Sequence, residues 1–166
     1  MAVRWTLRLL GICLVLLMFG CATGISQQAR SQVTYHGSFS ELQGAVDRHR
    51  GEIIILGGKI IETKGYQSAS EITVLQLPLD RRGRPEDGDR SEGRYLVRSG
   101  QFLDPAIYEK GTLLTVVGRL SGSEVRSVGG FPYVYPVVEP IELRSWPRGR
   151  RSSPDLHFGI GVGTWF

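Results

Sequence analysis

"EIIILGGKIIETK", residues 52–64, is the stretch on which the fold turns. Two runs rich in β-branched isoleucine flank the Gly57-Gly58 pair. Isoleucine at this density suits a pleated, half-buried surface. Paired glycines between such runs fit a bulge or sharp bend in one long strand, or a tight hairpin. The sequence leaves these open, and all of them make the segment β.

Downstream the strand signals continue. "SEITVLQLPL" (70–79) alternates in part, with Ile72, Val74 and Gln76 set against Thr73, Leu75 and Leu77. "RYLVRSG" (94–100) reads as a strand, and so does "TLLTVVGRLSGSEV" (112–125), which has an internal Gly118. "FPYVYPVVEPIELRSW" (131–146) is extended, with prolines that suit an edge or bulged strand. "DRRGRPEDGDRSEG" (80–93) has no apolar residue beyond proline and is dense in mixed charge, so a solvated loop is expected. "FLDPAIYEKG" (102–111) reads as a turn or one helical turn, with Asp104 as N-cap and Pro105 at the first helical position. Upstream, "SFSELQGAVDRHRG" (38–51) opens as a short helix. Ser38 is its N-cap, Glu41 its capping-box partner, and Leu42, Ala45 and Val46 its apolar face.

The expectation is a mainly β fold: a small five-stranded Greek-key barrel of OB type with one or two short helices. Glycine kinks inside long strands are how small barrels turn corners. A two-sheet sandwich satisfies the same periodicity.

The chain begins with Arg4 and Arg8, followed by an uncharged apolar run from Leu9 to Phe19. Eleven helical residues span about 16 Å against a hydrocarbon core of about 30 Å, which disfavours a spanning helix and favours a signal peptide over residues 1–20. Gly20-Cys21 resembles the bacterial lipobox, although Met18 and Phe19 depart from its commoner residues. On that resemblance Cys21 carries an S-diacylglycerol and an N-palmitoyl chain, and two or more chains anchor stably. Cys13 would leave with the signal, so no disulfide is expected. Ala22, where inner-membrane lipoproteins carry Asp, points to the outer membrane. "ATGISQQARSQVT" (22–34) is small and polar with no evident apolar period, and reads as part of a flexible tether over 21–37. The barrel domain is expected over 38–146, and a basic linker with a Gly/aromatic tail over 147–166.

From Cys21 onward, eighteen basic against sixteen acidic side chains leave a net charge of only +2, too small to argue for a nucleic-acid partner. His36, His49 and His157 are scattered, with no second ligand at metal spacing. No G-x-S-x-G elbow is present, and neither "GGFPY" nor "GIGVG" has the context of a phosphate loop. Glu86, Asp87, Asp89 and Glu92 lie among arginines without EF-hand spacing. No catalytic residue, metal or cofactor is therefore expected. Tyr133, Tyr135 and Trp146 are the candidates for a ligand-stacking surface, against the ordinary alternative of core packing. The tail "HFGIGVGTWF" (157–166) alternates apolar residues with glycine. It reads as a last strand on the barrel edge, or as a strand that joins a partner's sheet.

Several separated blocks resemble the Slp family of outer-membrane lipoproteins. They are "GGKIIETK", "TVLQLPLDRRGRP", "SEGRYLVRSGQFLDPAIYEKGTLLTVVGRLSG", and "YVYPVV" with Trp146 beyond it. The chain departs from the family at "SVGGFPYVYP", where an acidic residue tends to follow the glycine. The resemblance implies a lipid-anchored envelope protein at the periplasmic face of the outer membrane. Its role would be structural or binding, not catalytic, and related to stress or starvation. The rival readings are a periplasmic binding module for a small molecule or glycan, and an assembly partner of outer-membrane proteins acting through the C-terminal tail. An enzyme would need a polar pocket that the linear sequence hides.

Overall fold

The computed structural model describes residues 24–146. The expected signal segment, Cys21, and the linker and tail from 147 onward lie outside the described residues. Five strands form a closed barrel: β1 (Ile53–Gly65), β2 (Ser70–Leu77), β3 (Arg94–Ser99), β4 (Leu113–Val128) and β5 (Phe131–Trp146). Their order around the barrel is β1-β2-β3-β5-β4. Neighbours are antiparallel except β3 and β5, which run parallel and pair through Leu96–Val137 and Val97–Val138. This is the OB-type Greek-key barrel, not the sandwich.

The opening stretch is a single strand that changes partners. Its first half pairs with β4, from Ile53–Arg119 to Lys59–Leu113. Its second half pairs with β2, from Gly57–Leu77 to Gly65–Ser70. Residues 57–59 are paired on both sides, so the glycines sit where the barrel turns its corner. A Cβ at Gly58 would land on the Leu75 carbonyl oxygen and on Val74, and one at Gly57 on Leu79. A register shift between Ile60 and Glu62 adds a bulge just beyond. The segment is one long strand, with its bulge beyond the glycines and not at them, and the hairpin is not formed.

Inside the barrel, Ile54, Ile72, Val74, Tyr95, Val97, Leu114, Val116, Leu120 and Val138 make one core. The capping box at Ser38 and Glu41 starts a short helix, Phe39–Gly44, as the sequence indicated. A 3-10 turn, Val46–His49, follows instead of a longer helix. Phe39, Leu42 and Val46 on these pieces close the core.

Two segments depart from expectation. The described part of the supposed tether is folded against the barrel. A helix, Gln27–Ser31, is capped by Ser26. Ile25 and Ala29 are buried on Ile53 and Val117, with Val33 and Ile55 packed beside them. Ile25, Ala29 and Val33 fall at i, i+4 and i+8, a thin apolar stripe diluted by glutamine, serine and arginine. The expected loop 80–93 forms and is mostly exposed, but its first half also packs on the barrel. Leu79 bridges to Pro85, and Asp80 Oδ1 accepts from the backbone N–H groups of Arg82 and Arg84. Gly83 and Pro85 are buried. In label order, the helix at 27–31 is α1 and that at 39–44 is α2.

The outer halves of β4 and β5 form a hairpin arm that closes at Gly129-Gly130, both at positive φ. The arm covers the outer face of β2 and β3. Leu96 on β3 is fully buried beneath Tyr135 and Val137, with Val128 and Tyr133 alongside.

Candidate functional site

The aromatic trio is split. Tyr133 and Tyr135 meet edge to face at 5.0 Å on the arm. Tyr135 is buried, and Tyr133 is half-buried with its hydroxyl accepting from the Arg94 N–H at 2.9 Å. Trp146 lies at the other end of β5, more than ten residues away. Its indole N–H donates to Thr115 Oγ1 at 2.9 Å, and the guanidinium groups of Arg84 and Arg144 lie 5.7 and 5.4 Å from its ring centre. No common stacking platform forms. The two tyrosines hold the arm, and Trp146 marks a separate basic surface.

Beneath the arm is an ion network. Glu71 on β2 is only 7% exposed, and it accepts from Arg98 on β3 and Arg126 on β4 at 2.9 and 2.8 Å. Glu124 accepts from Arg126 at 2.7 Å and from Arg98. The hydrogen bonds from Arg126 and Arg98 hold the Glu124 carboxyl below its ordinary value. Burial acts against the charge of Arg126, but its carboxylate partners outweigh it and raise the group overall. The guanidinium of Arg126 also lies over Tyr135. Every charge here has a partner of opposite sign, as a nearly buried carboxylate requires. The cluster clamps the arm.

A groove of about 800 Å³ opens where β3 and β5 part after their two paired residues. Arg98, Leu103, Tyr108, Glu139, Ile141 and Leu143 are among its lining residues. Between the lining residues Leu103 and Tyr108, Asp104 accepts from the Ala106 N–H at 2.8 Å, and Tyr108 packs against the core. The capping and packing roles expected of Asp104 and Tyr108 are both present, and the expected turn forms, with the N–H groups of Ile107 and Tyr108 donating to the Asp104 carbonyl at 3.0 Å. Arg98 is committed to Glu71 and Glu124, and among the described residues no hydrogen bond joins it to Tyr108 or Glu139. Sequence reasoning missed this groove, because its walls come from three separated segments. The short β3 pattern ending at Gly100 was the available signal.

His49 is bound by Glu52 at 3.0 Å and touched edge-on by Tyr35, while His36 is exposed. Among the described residues there is no group of three or more His, Cys, Asp or Glu that could hold a metal ion. The residue expected to be acylated, Cys21, lies outside the described residues, four positions before the buried Ile25.

Comparison with known proteins places this geometry in a family. The model of the outer membrane lipoprotein Slp family matches residues 18–164. The lipoprotein YeaY of Escherichia coli K12 is 28% identical over 131 residues, covering 79% of this chain and 67% of the relative. A Haemophilus influenzae protein is 35% identical over 92 residues, covering 55% of this chain and 50% of its own length. The outer membrane protein Slp of Escherichia coli K12 is 25% identical over 119 residues, covering 72% of this chain and 63% of the relative. The chain thus spans between half and two thirds of these relatives. A single-stranded DNA-binding protein from Streptomyces coelicolor is similar at 13% identity and a TM-score of 0.39, over 57% of this chain and 94% of that one. That likeness is too weak to bear on function. From the family model's match across nearly the whole sequence, the chain belongs to the Slp family of outer membrane lipoproteins.

Proposed function

We propose that this envelope lipoprotein is a non-catalytic domain held by acyl chains on Cys21 at the periplasmic face of the outer membrane, with a structural or binding role under stress or starvation. The observation that carries the reading is the run from Arg4 to Cys21: two arginines, eleven uncharged apolar residues and a Gly-Cys junction. The ion network supports a non-catalytic role, because its charges are spent on one another. The test is fractionation of cells that carry Cys21→Ser. The expected result is loss of the protein from the outer-membrane fraction. Retention there at the parental level overturns the anchor.

A second reading is a binding module, favoured by the groove between β3 and β5, whose size is in the range of small-ligand sites. Added cell-wall glycan fragments should then slow amide hydrogen exchange in residues 98–108. Unchanged exchange at saturating glycan contradicts a glycan ligand there.

A further inference from the structure

The docked segment before the barrel limits how far the domain can stand from its anchor, and this argument rests on Cys21 being acylated as proposed. Ile25 is buried against Ile53 and Val117. Four Cα–Cα steps of about 3.8 Å separate Cys21 from Ile25, so the acylated residue lies within about 15 Å of the barrel wall. The headgroup zone on each side of a bilayer takes up about 5–7.5 Å of that length, which leaves at most about 10 Å between the lipid surface and the barrel wall. The face of the barrel around Ile25 is therefore the one held nearest the lipid surface.

That face is basic. Gly24 lies against the Arg82 carbonyl, and Arg30 Nη2 donates to the same oxygen at 2.8 Å. Thr115 Oγ1 donates to the Gly83 carbonyl at 2.7 Å and accepts from Trp146, which joins the 80–84 turn to the end of β5. Arg84 and Arg144 flank Trp146. Arg81, Arg82, Arg84 and Arg144 are exposed, and Arg30 is half-buried. The carboxylates nearest these arginines are engaged, with Glu86 and Asp87 following on the same turn and paired to Arg90 and Lys59. Asp80 is held by the backbone N–H groups of Arg82 and Arg84, and Glu142 accepts from Ser26. Four exposed guanidinium groups and the half-buried Arg30 thus gather around the 80–84 turn and the end of β5. Guanidinium groups match phosphate geometry, and indole rings favour the membrane interface.

We infer that the barrel lies down on the membrane through Arg30, Arg81, Arg82, Arg84, Arg144 and Trp146, and that the partner of this face is an anionic phospholipid headgroup surface. The anchor holds the molecule on the membrane, and the arginines set which side faces it. The hairpin arm, with Val125 exposed on it, lies at the opposite end of β4 and β5 from Trp146.

The test uses the mature acylated protein in vesicles of phosphatidylcholine with about one third phosphatidylglycerol. With Cys21 acylated and Cys13 removed, a cysteine introduced at Arg81 or at Val125 is the single free thiol for a fluorophore. The expected result is that a headgroup-level quencher acts at least about threefold more strongly at position 81 than at 125. This difference should fall by more than half in phosphatidylcholine alone, and in a chain with Arg82, Arg84 and Arg144 changed to Gln. Changing the same three to Lys should restore it, which separates lost charge from lost folding. Equal quenching at 81 and 125 in vesicle-bound protein overturns the docking face and leaves the anchor standing. Strong quenching at 81 that ignores phosphatidylglycerol and the Gln changes overturns the anionic partner. A mature chain without acyl mass that fails to float with vesicles overturns the anchor reading, and the docking face with it.

Discussion

Tyr95 carries a hydroxyl at the centre of the core with no hydrogen-bond partner among the described residues, and burial alone pushes its ionisation well above the ordinary value. An unsatisfied buried hydroxyl costs roughly 1–3 kcal/mol. Tyr95→Phe keeps the ring and its contact with Phe39, so urea denaturation should show it equal to the parent or more stable, by up to about 1 kcal/mol. A loss of more than that would mean the hydroxyl has a partner. Gly58 works in the opposite sense. Gly58→Ala puts a methyl on the Leu75 carbonyl at the barrel corner, and the same experiment should show a loss of about 1–3 kcal/mol. At this scale the sequence was informative: Gly57-Gly58 announced a distortion, and Ser38 with Glu41 announced a helix start. It was silent about Tyr95, because whether a buried hydroxyl meets a partner depends on residues from other strands.

Elements show more of what a linear reading cannot resolve. The helix at 27–31 escaped notice because one apolar residue per turn is a weak period, and the burial that rewards it comes from Ile53 and Val117, far along the chain. Its docking is testable. Ile25→Ala removes a buried side chain at the edge of the barrel and should cost about 2 kcal/mol, with faster amide exchange confined to residues 25–35. Global loss of protection would contradict local docking. The turn at 80–85 was hidden by its charge: the arginines point to solvent while Gly83 and Pro85 carry the packing. The arm depends on ion pairs that sequence spacing cannot pair up. Glu124 is held below its ordinary value by Arg126 and Arg98. A lowered carboxyl contributes stability that is present above the unfolded value near 4.5 and is lost as pH falls through the folded value. Exchange in residues 121–136 should therefore accelerate on acidification below about pH 4.5, before the core opens. Arg126→Gln should weaken the arm already at neutral pH.

For the whole molecule, five strands with internal glycines pointed to a small Greek-key barrel beside a sandwich, but the closed order β1-β2-β3-β5-β4 and its one parallel contact, between β3 and β5, were not legible. That contact ends after two residue pairs and opens the groove, so the groove is a product of topology and not of any motif. The aromatic residues that looked like one surface lie at opposite ends of a sixteen-residue strand. The family fixes the envelope as the setting. With Cys21 acylated as proposed, a barrel packed to within four residues of it would have the membrane as its immediate environment. Everything proposed at this scale depends on Cys21. The most direct measurement is the intact mass of the protein extracted from membranes, beside that of Cys21→Ser. The expected mass is residues 21–166 plus a diacylglyceryl group and one fatty acyl chain, absent from the variant. An unmodified chain, or one that keeps residues 1–20, would contradict the lipid anchor.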